Sequence, residues 1–352
     1  MTDETDAPDA LCRIDGAAGV ITLNRPRALN ALTLDAVRAM RAALDAWVHD
    51  PAVTRVIIEG AGEKAFCAGG DIRRLVEAGK AGRREEAHAF WREEYELNAL
   101  IQAFPKPYVA LIDGIVMGGG VGVSLHGSHR VAGERYLFAM PEVGIGFFPD
   151  VGASHVLPRL PGRTGLWLAL TGSRIGPADA LAMGLATHSV ESAAMPAIRA
   201  GLIAGEDPDA LLERHRRDPG PAPIEAKAAT IDACFAEGSV EAIHAALERM
   251  AAGGDSPAVE IRDALATKSP TSLKLTFEQM RRGADLPFAE AMRMEYRIVS
   301  RILDGHDFYE GVRAVLVDKD HAPRWSPPRL EDVTPEAIEA YFAPLGDDEL
   351  VL

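Results

Sequence analysis

In the first half of the chain, short β-branched runs alternate with stretches where apolar residues return every three or four positions. Val20-Ile21-Thr22-Leu23 predicts a strand. Thr33 is placed to cap a helix whose apolar positions Leu34, Val37, Met40, Leu44, Trp47 and Val48 fall mainly on one face. Residues 53–58 (VTRVII) predict a second strand, followed by a glycine-rich loop. Residues 84–104 predict a long amphipathic helix that stops before Pro105 and Pro107. Tyr108–Ile112 predicts a third strand, and a glycine-rich stretch follows over residues 114–122. Strand, helix and strand in this order predict an α/β core. After about Val190 the pattern turns helical throughout, with apolar spacing at Ile231, Phe235, Ile243 and Leu247 and again at Met292, Tyr296, Val299 and Leu303. Proline and glycine clusters at 218–223 and 253–257 separate these helices. Two regions result: an α/β core over 11–190 and a helical C-terminal region over 191–352.

Composition narrows the classes of function. The 352 residues are 47% hydrophobic and 25% charged, the balance of a globular protein. Thirty-seven basic against 52 acidic residues leave a net charge of −15, which repels a phosphate backbone and argues against nucleic-acid binding. Cys12, Cys67 and Cys234 are far apart and form no CxxC, which suits a reducing compartment and gives no metal framework. The first ten residues carry four acids and no base, the reverse of a signal peptide, and the uncharged stretch 114–129 is too rich in glycine to span a membrane. The expectation is a cytoplasmic protein with no membrane association.

Several familiar signatures fail on inspection. Gly60-Ala61-Gly62-Glu63-Lys64-Ala65 fits a dinucleotide-binding pattern, but residues 66–71 extend the loop where a helix should begin. GxSxG, HExxH and P-loop patterns are absent, and the ten histidines show no ligand spacing. Cys67 reads as a small packed hydrophobe, with no base nearby in sequence.

Two glycine-rich segments remain, 68–71 (AGGD) and 117–122 (MGGGVG), each after a strand. Glycine there lets backbone N–H groups approach a ligand, and two converging donors would stabilise a carbonyl gaining charge; tight turns and close packing explain the same glycines equally well. Residues 141–150 (PEVGIGFFPD) add two carboxylates, Glu142 and Asp150, in an apolar setting that would raise a carboxyl pKa and suit acid–base work. Asp150 is also placed to cap a helix beginning near Val151.

These ordered motifs, with 23–33 (LNRPRALNALT), 65–73 (AFCAGGDIR) and 106–122 (KPYVALIDGIVMGGGVG), resemble the crotonase (enoyl-CoA hydratase/isomerase) superfamily from Gly19 to about Val190. Residues 92–95 (REEY), 148–152 (FPDVG) and the run from SPTSLKLT at 269 to Lys319-Asp320 resemble its subgroup that hydrolyses 3-hydroxyisobutyryl-CoA. The resemblance implies a ββα-superhelix core with a helical C-terminal region. It implies an oxyanion hole from the N–H groups of Gly70 and Gly119, with Ala68, Asp71 and Ile72 along the CoA path. Glu142 would be the principal catalyst, attacking the thioester or activating water; Asp150 would hold the 3-hydroxyl or help protonate the thiolate, and Glu94 would border the acyl pocket. Hydratases of this superfamily use two glutamates, and the first position is Gly122 here. The implied reaction is therefore thioester hydrolysis in valine breakdown, with hydration or isomerisation of a short enoyl-CoA as the alternative and a non-catalytic CoA-binding role disfavoured by Glu142 and Asp150. No metal or cofactor is implied, CoA being part of the substrate, and relatives suggest a homotrimer or hexamer.

Overall fold

The computed structural model describes residues 7–352, so residues 1–6 of the acid-rich opening lie outside the described residues. The chain forms two compact units that interleave along the sequence, whereas 11–190 and 191–352 divide it by sequence pattern.

The first unit comprises the described part of Met1–Asp71 with Glu93–Phe138 and Ile175–Ala222. Its main sheet has the order β1-β2-β3-β5-β7-β9: Ala10–Asp15, Ala18–Leu23, Arg55–Gly60, Tyr108–Ile112, His129–Ala132 and His188–Ser189. β1 runs antiparallel to β2, and the remaining pairs are parallel. Val20, Ile57 and Val109 stand in register across three strands. They share a buried cluster with Val131, Ile198, Leu202, Leu211 and Leu212, so one face of the sheet is closed by the helices Met195–Ile203 and Pro208–Arg214. The helix Leu34–Trp47 begins as the sequence predicts, with Thr33 Oγ1 accepting from Ala36 N–H at 3.2 Å.

A second sheet, β4-β6-β8, consists of Ala65–Cys67, Ile115–Met117 and Leu137–Ala139, the last residue of which counts with the other unit. The segment after Gly60-Ala61-Gly62 was expected to continue as loop; it forms β4 instead, and no helix receives the glycines. Asn30 holds this region together. It is 2% exposed, has φ +57°, and its amide donates to the carbonyls of Ala61 and Ala65, both at 2.9 Å.

The second unit, Ile72–Arg92, Ala139–Arg174 and Pro223–Leu352, is helical. The predicted long helix spans Arg84–Gln102, its first nine residues in this unit and the rest in the other. Trp91, Phe147, Phe148 and Phe308 form an aromatic cluster, with Phe147 stacked on Phe148 at 4.8 Å and on Trp91 at 5.8 Å. Among the described residues no helix is long and apolar enough to cross a membrane.

Replacing Asn30 with alanine leaves two carbonyls without their donor and puts a β-carbon residue without a compensating amide at positive φ. A loss of roughly 2–4 kcal/mol in urea denaturation is expected. A loss under 0.5 kcal/mol, the range of ordinary surface changes, would contradict this role.

Candidate active site

In the first unit, residues 68–71 are zipped onto the motif 29–32. Ala68 N–H donates to Leu29 O (3.0 Å), Leu32 N–H to Gly69 O (2.8 Å) and Asp71 N–H to Leu32 O (2.9 Å). The Arg25 guanidinium fixes the end of this segment, donating to Ala31 O at 2.8 Å and pairing with the Asp71 carboxylate at 3.1 Å. Among the described residues no acceptor takes the N–H of Gly70.

The second glycine segment reaches the same place. Gly118, at φ +48° and ψ −125°, turns the chain into the short helix Gly119–Gly122, a backbone shape closed to residues with a β-carbon. A β-carbon on Gly119 would stand 3.3 Å from Gly70 N and 2.5 Å from Glu94 Oε1. The structure thus brings together Gly70, Gly119 and Glu94, with Ala68 and Asp71 beside them, all in the first unit. Gly119 N–H, first in its helix, likewise has no acceptor among the described residues. Gly122 is buried in that helix and offers no side chain. Ile72, the remaining residue predicted for this segment, opens the helix Ile72–Lys80 and counts with the second unit. Cys67 is fully buried and its thiol is pushed up to about 12 by burial, in keeping with a packing role.

The acids Glu142 and Asp150 lie in the second unit, 6% and 5% exposed. Glu142 starts a tight turn, Glu142–Ile145, which the C-terminal motifs hold from two sides. Ser269 N–H donates to Val143 O at 3.2 Å. Gly146 packs so closely on Asp307 that a β-carbon would stand 2.1 Å from its carbonyl oxygen. Burial pushes the Glu142 carboxyl well above the usual range; the charge of Asp150 adds to this, and the residue's own N–H partly offsets it. Its Oε2 accepts no hydrogen bond among the described residues. A buried, poorly solvated carboxylate of this kind is basic and reactive.

The expected cap by Asp150 is not what forms. The short helix is Ala153–Val156, and no side chain caps it from its N-cap residue Gly152. The free N–H groups of Gly152 and Ser154 are taken by Glu295, at 2.8 and 2.9 Å. Glu295 is fully buried, and burial lifts its carboxyl to about 8 against the pull of these bonds and the Ser154 hydroxyl. Sequence reasoning missed it, although position 295 falls three residues after Met292 and four before Val299, on the buried face of the predicted helix.

The chain matches the enoyl-CoA hydratase/isomerase family over residues 18–342. It is 48% identical over 364 residues to "3-hydroxyisobutyryl-CoA hydrolase, mitochondrial" of Xenopus tropicalis, covering 100% of this chain and 93% of that protein. Two solved structures superpose closely. A carnitinyl-CoA dehydratase from Mycobacterium thermoresistibile has a TM-score of 0.92 at 44% identity, with 97% of this chain and 98% of that one covered. An enoyl-CoA hydratase from Rhodobacter sphaeroides 2.4.1 has a TM-score of 0.91 at 43% identity, with 98% and 100% covered.

A carboxyl whose pKa is raised by folding stabilises the native state only while it is protonated, below its unfolded value. That contribution is lost as pH rises through the folded value. Glu142→Gln should therefore raise Tm at about pH 8 and leave it nearly unchanged at about pH 3, below the unfolded pKa, where the carboxyl is neutral folded and unfolded. Calorimetry at the two pH values checks this; a lower Tm for the variant at the higher pH would show that the ionised Glu142 is stabilised by folding.

Proposed function

The chain belongs to the enoyl-CoA hydratase/isomerase family, and we propose that it hydrolyses the thioester of 3-hydroxyisobutyryl-CoA to 3-hydroxyisobutyrate and free CoA, a step of valine breakdown. The single structural observation that carries the reading is Glu142: buried, raised in pKa, and with one carboxylate oxygen accepting no hydrogen bond. Full-length relatives at 45–48% identity that are named as this hydrolase support the substrate.

In this reading the thioester carbonyl oxygen accepts from the N–H groups of Gly70 and Gly119, which take up the charge that develops as the carbon becomes tetrahedral. Ala68, Asp71 and Ile72 lie along the CoA, and Glu94 borders the acyl group. Two routes are open to Glu142. It can attack the carbonyl carbon, giving a mixed anhydride that water then opens, or it can take a proton from the attacking water. In both, a C–O bond forms, the C–S bond breaks and the thiolate leaves with a proton. Mass spectrometry of acid-quenched enzyme separates them, because only the first leaves the acyl group on the protein. Asp150 accepts a hydrogen bond from the substrate's 3-hydroxyl or helps protonate the thiolate.

Backbone donors supply the electrophile, so the reading calls for no metal or redox cofactor. The three cysteines, all free, support a reducing compartment, and we place the protein in the cytoplasm although the relatives' names carry "mitochondrial". The family resemblance supports a homotrimer or hexamer, which light scattering tests directly.

Hydration is the competing reading, favoured by the likeness to a carnitinyl-CoA dehydratase and an enoyl-CoA hydratase. Gly122 weighs against it, because one acid handles proton delivery and water activation poorly. The protein should release free thiol from 3-hydroxyisobutyryl-CoA far faster than it removes the enoyl absorbance of crotonyl-CoA by hydration, and the reverse order would reject hydrolysis. Glu142→Gln should lower kcat at least ~100-fold with KM nearly unchanged. A loss below tenfold would remove Glu142 as principal catalyst. Isobutyryl-CoA, which lacks the hydroxyl, should react orders of magnitude more slowly, and Asp150→Ala should shrink that gap. Equal cleavage of both thioesters by the wild type would mean that Asp150 does not read the hydroxyl.

A further inference from the structure

Residues 149–154 have a backbone shape that their own sequence does not favour. Val151 is β-branched yet sits at φ +54°, and Gly152 follows at φ +90°. A β-branched residue in the left-handed region costs of order 1–3 kcal/mol and persists only where its surroundings impose it. Here two side chains from different helices do so.

From the helix Phe288–Ile302, Glu295 accepts Gly152 N–H on one carboxyl oxygen and Ser154 N–H on the other. From the helix Pro270–Gly283, the Gln279 amide donates to Pro149 O at 2.6 Å and to Ser154 Oγ at 2.7 Å. Both are fully buried. Gly283 brings the same helix so close that a β-carbon on it would stand 2.1 Å from Ser154 O. Residues 149, 152 and 154 are therefore tied on both sides of Asp150 and Val151.

We infer that Glu295 and Gln279 are positioning residues for Asp150, holding residues 149–154 in the strained shape that fixes where its carboxylate stands. The inference rests on the reading of Asp150 as the group that meets the substrate's 3-hydroxyl. An ionised carboxylate, the form that the two N–H donors favour, offers two acceptor oxygens in one plane, whereas a carboxamide offers one and turns an N–H toward the other donor. Glu295→Gln thus keeps the volume but breaks one arm of the clamp. Gln279→Met keeps the length and removes both donations.

The experiment measures kcat and KM of the wild type, Asp150→Ala, Glu295→Gln and Gln279→Met on 3-hydroxyisobutyryl-CoA and isobutyryl-CoA, with Tm alongside. Both clamp variants should lower the ratio of kcat/KM between the two thioesters by about 10- to 100-fold, mainly by slowing the hydroxylated substrate, as a misplaced functional group does. They should then resemble Asp150→Ala. A purely structural role would lower Tm and reduce activity on both thioesters alike, leaving the ratio intact. Retention of the wild-type ratio in both folded variants overturns the inference. Should Glu295→Gln fail to fold, Gln279→Met decides by the same criterion. A wild type that does not discriminate overturns the parent reading of Asp150 instead, and with it the inference.

Discussion

Taking a carboxylate out of water costs several kcal/mol unless hydrogen bonds or opposite charge replace the lost solvation. The second unit does this at Glu142, Asp150 and Glu295, each nearly or wholly buried. At Glu295 two backbone N–H groups and the Ser154 hydroxyl work against burial, while Asp150 works with it. At Glu142 only the residue's own N–H opposes burial and the repulsion of Asp150. Of Glu142 and Glu295, Glu142 therefore carries the larger solvation deficit and has more to gain from a proton or a new bond. The packing around it serves to keep that deficit in place. Phe147 N–H donates to the Glu142 carbonyl at 3.0 Å, and the close approach of Gly146 to Asp307 secures the turn. This is how an ordinary glutamate acquires unusual basicity without a metal or a cationic partner in its balance.

On the proposed reading the first unit meets the opposite requirement with backbone. Donors made of N–H groups cannot rotate away or change protonation, but they need two chain segments to meet at a distance side chains would forbid. At Gly119 even a methyl group would collide with Glu94, and at Gly120 it would stand 2.3 Å from Cys67 O. The motif 23–33 fits here as the strap that binds residues 68–71 through three backbone hydrogen bonds and through Arg25.

How much of this could be read from sequence depended on the range of the interaction. The helix Leu34–Trp47 was legible because its cap and apolar stripe are local, and β5 because its five residues are uniformly apolar. β1 escaped because it is an edge strand whose burial does not alternate. β4 and β6 are three residues each, too short to show a period. Glu142 and Asp150 stood out as acids in an apolar run. The cap assigned to Asp150 failed because the true acceptor, Glu295, comes from 143 residues further along the chain. Its own signal, an acid on the apolar face of a helix, was present in the spacing, but nothing local tells which N–H groups such an acid serves.

The superposition on a dehydratase and a hydratase, at TM-scores of 0.92 and 0.91, fixes the fold and leaves the chemistry to individual side chains. A hydratase must protonate one carbon and direct water to its neighbour, so it places two acids across the substrate. On the proposed reading the first of these positions corresponds to Gly122, which has no side chain; the carboxylate that stands beside Gly119 is Glu94, delivered from the helix Arg84–Gln102. A thioester demands less of the protein than a double bond: one activated oxygen, stabilisation of the carbonyl oxygen, and a thiol that leaves readily. On the proposed reading one acid, Glu142, therefore serves hydrolysis where hydration would call for two.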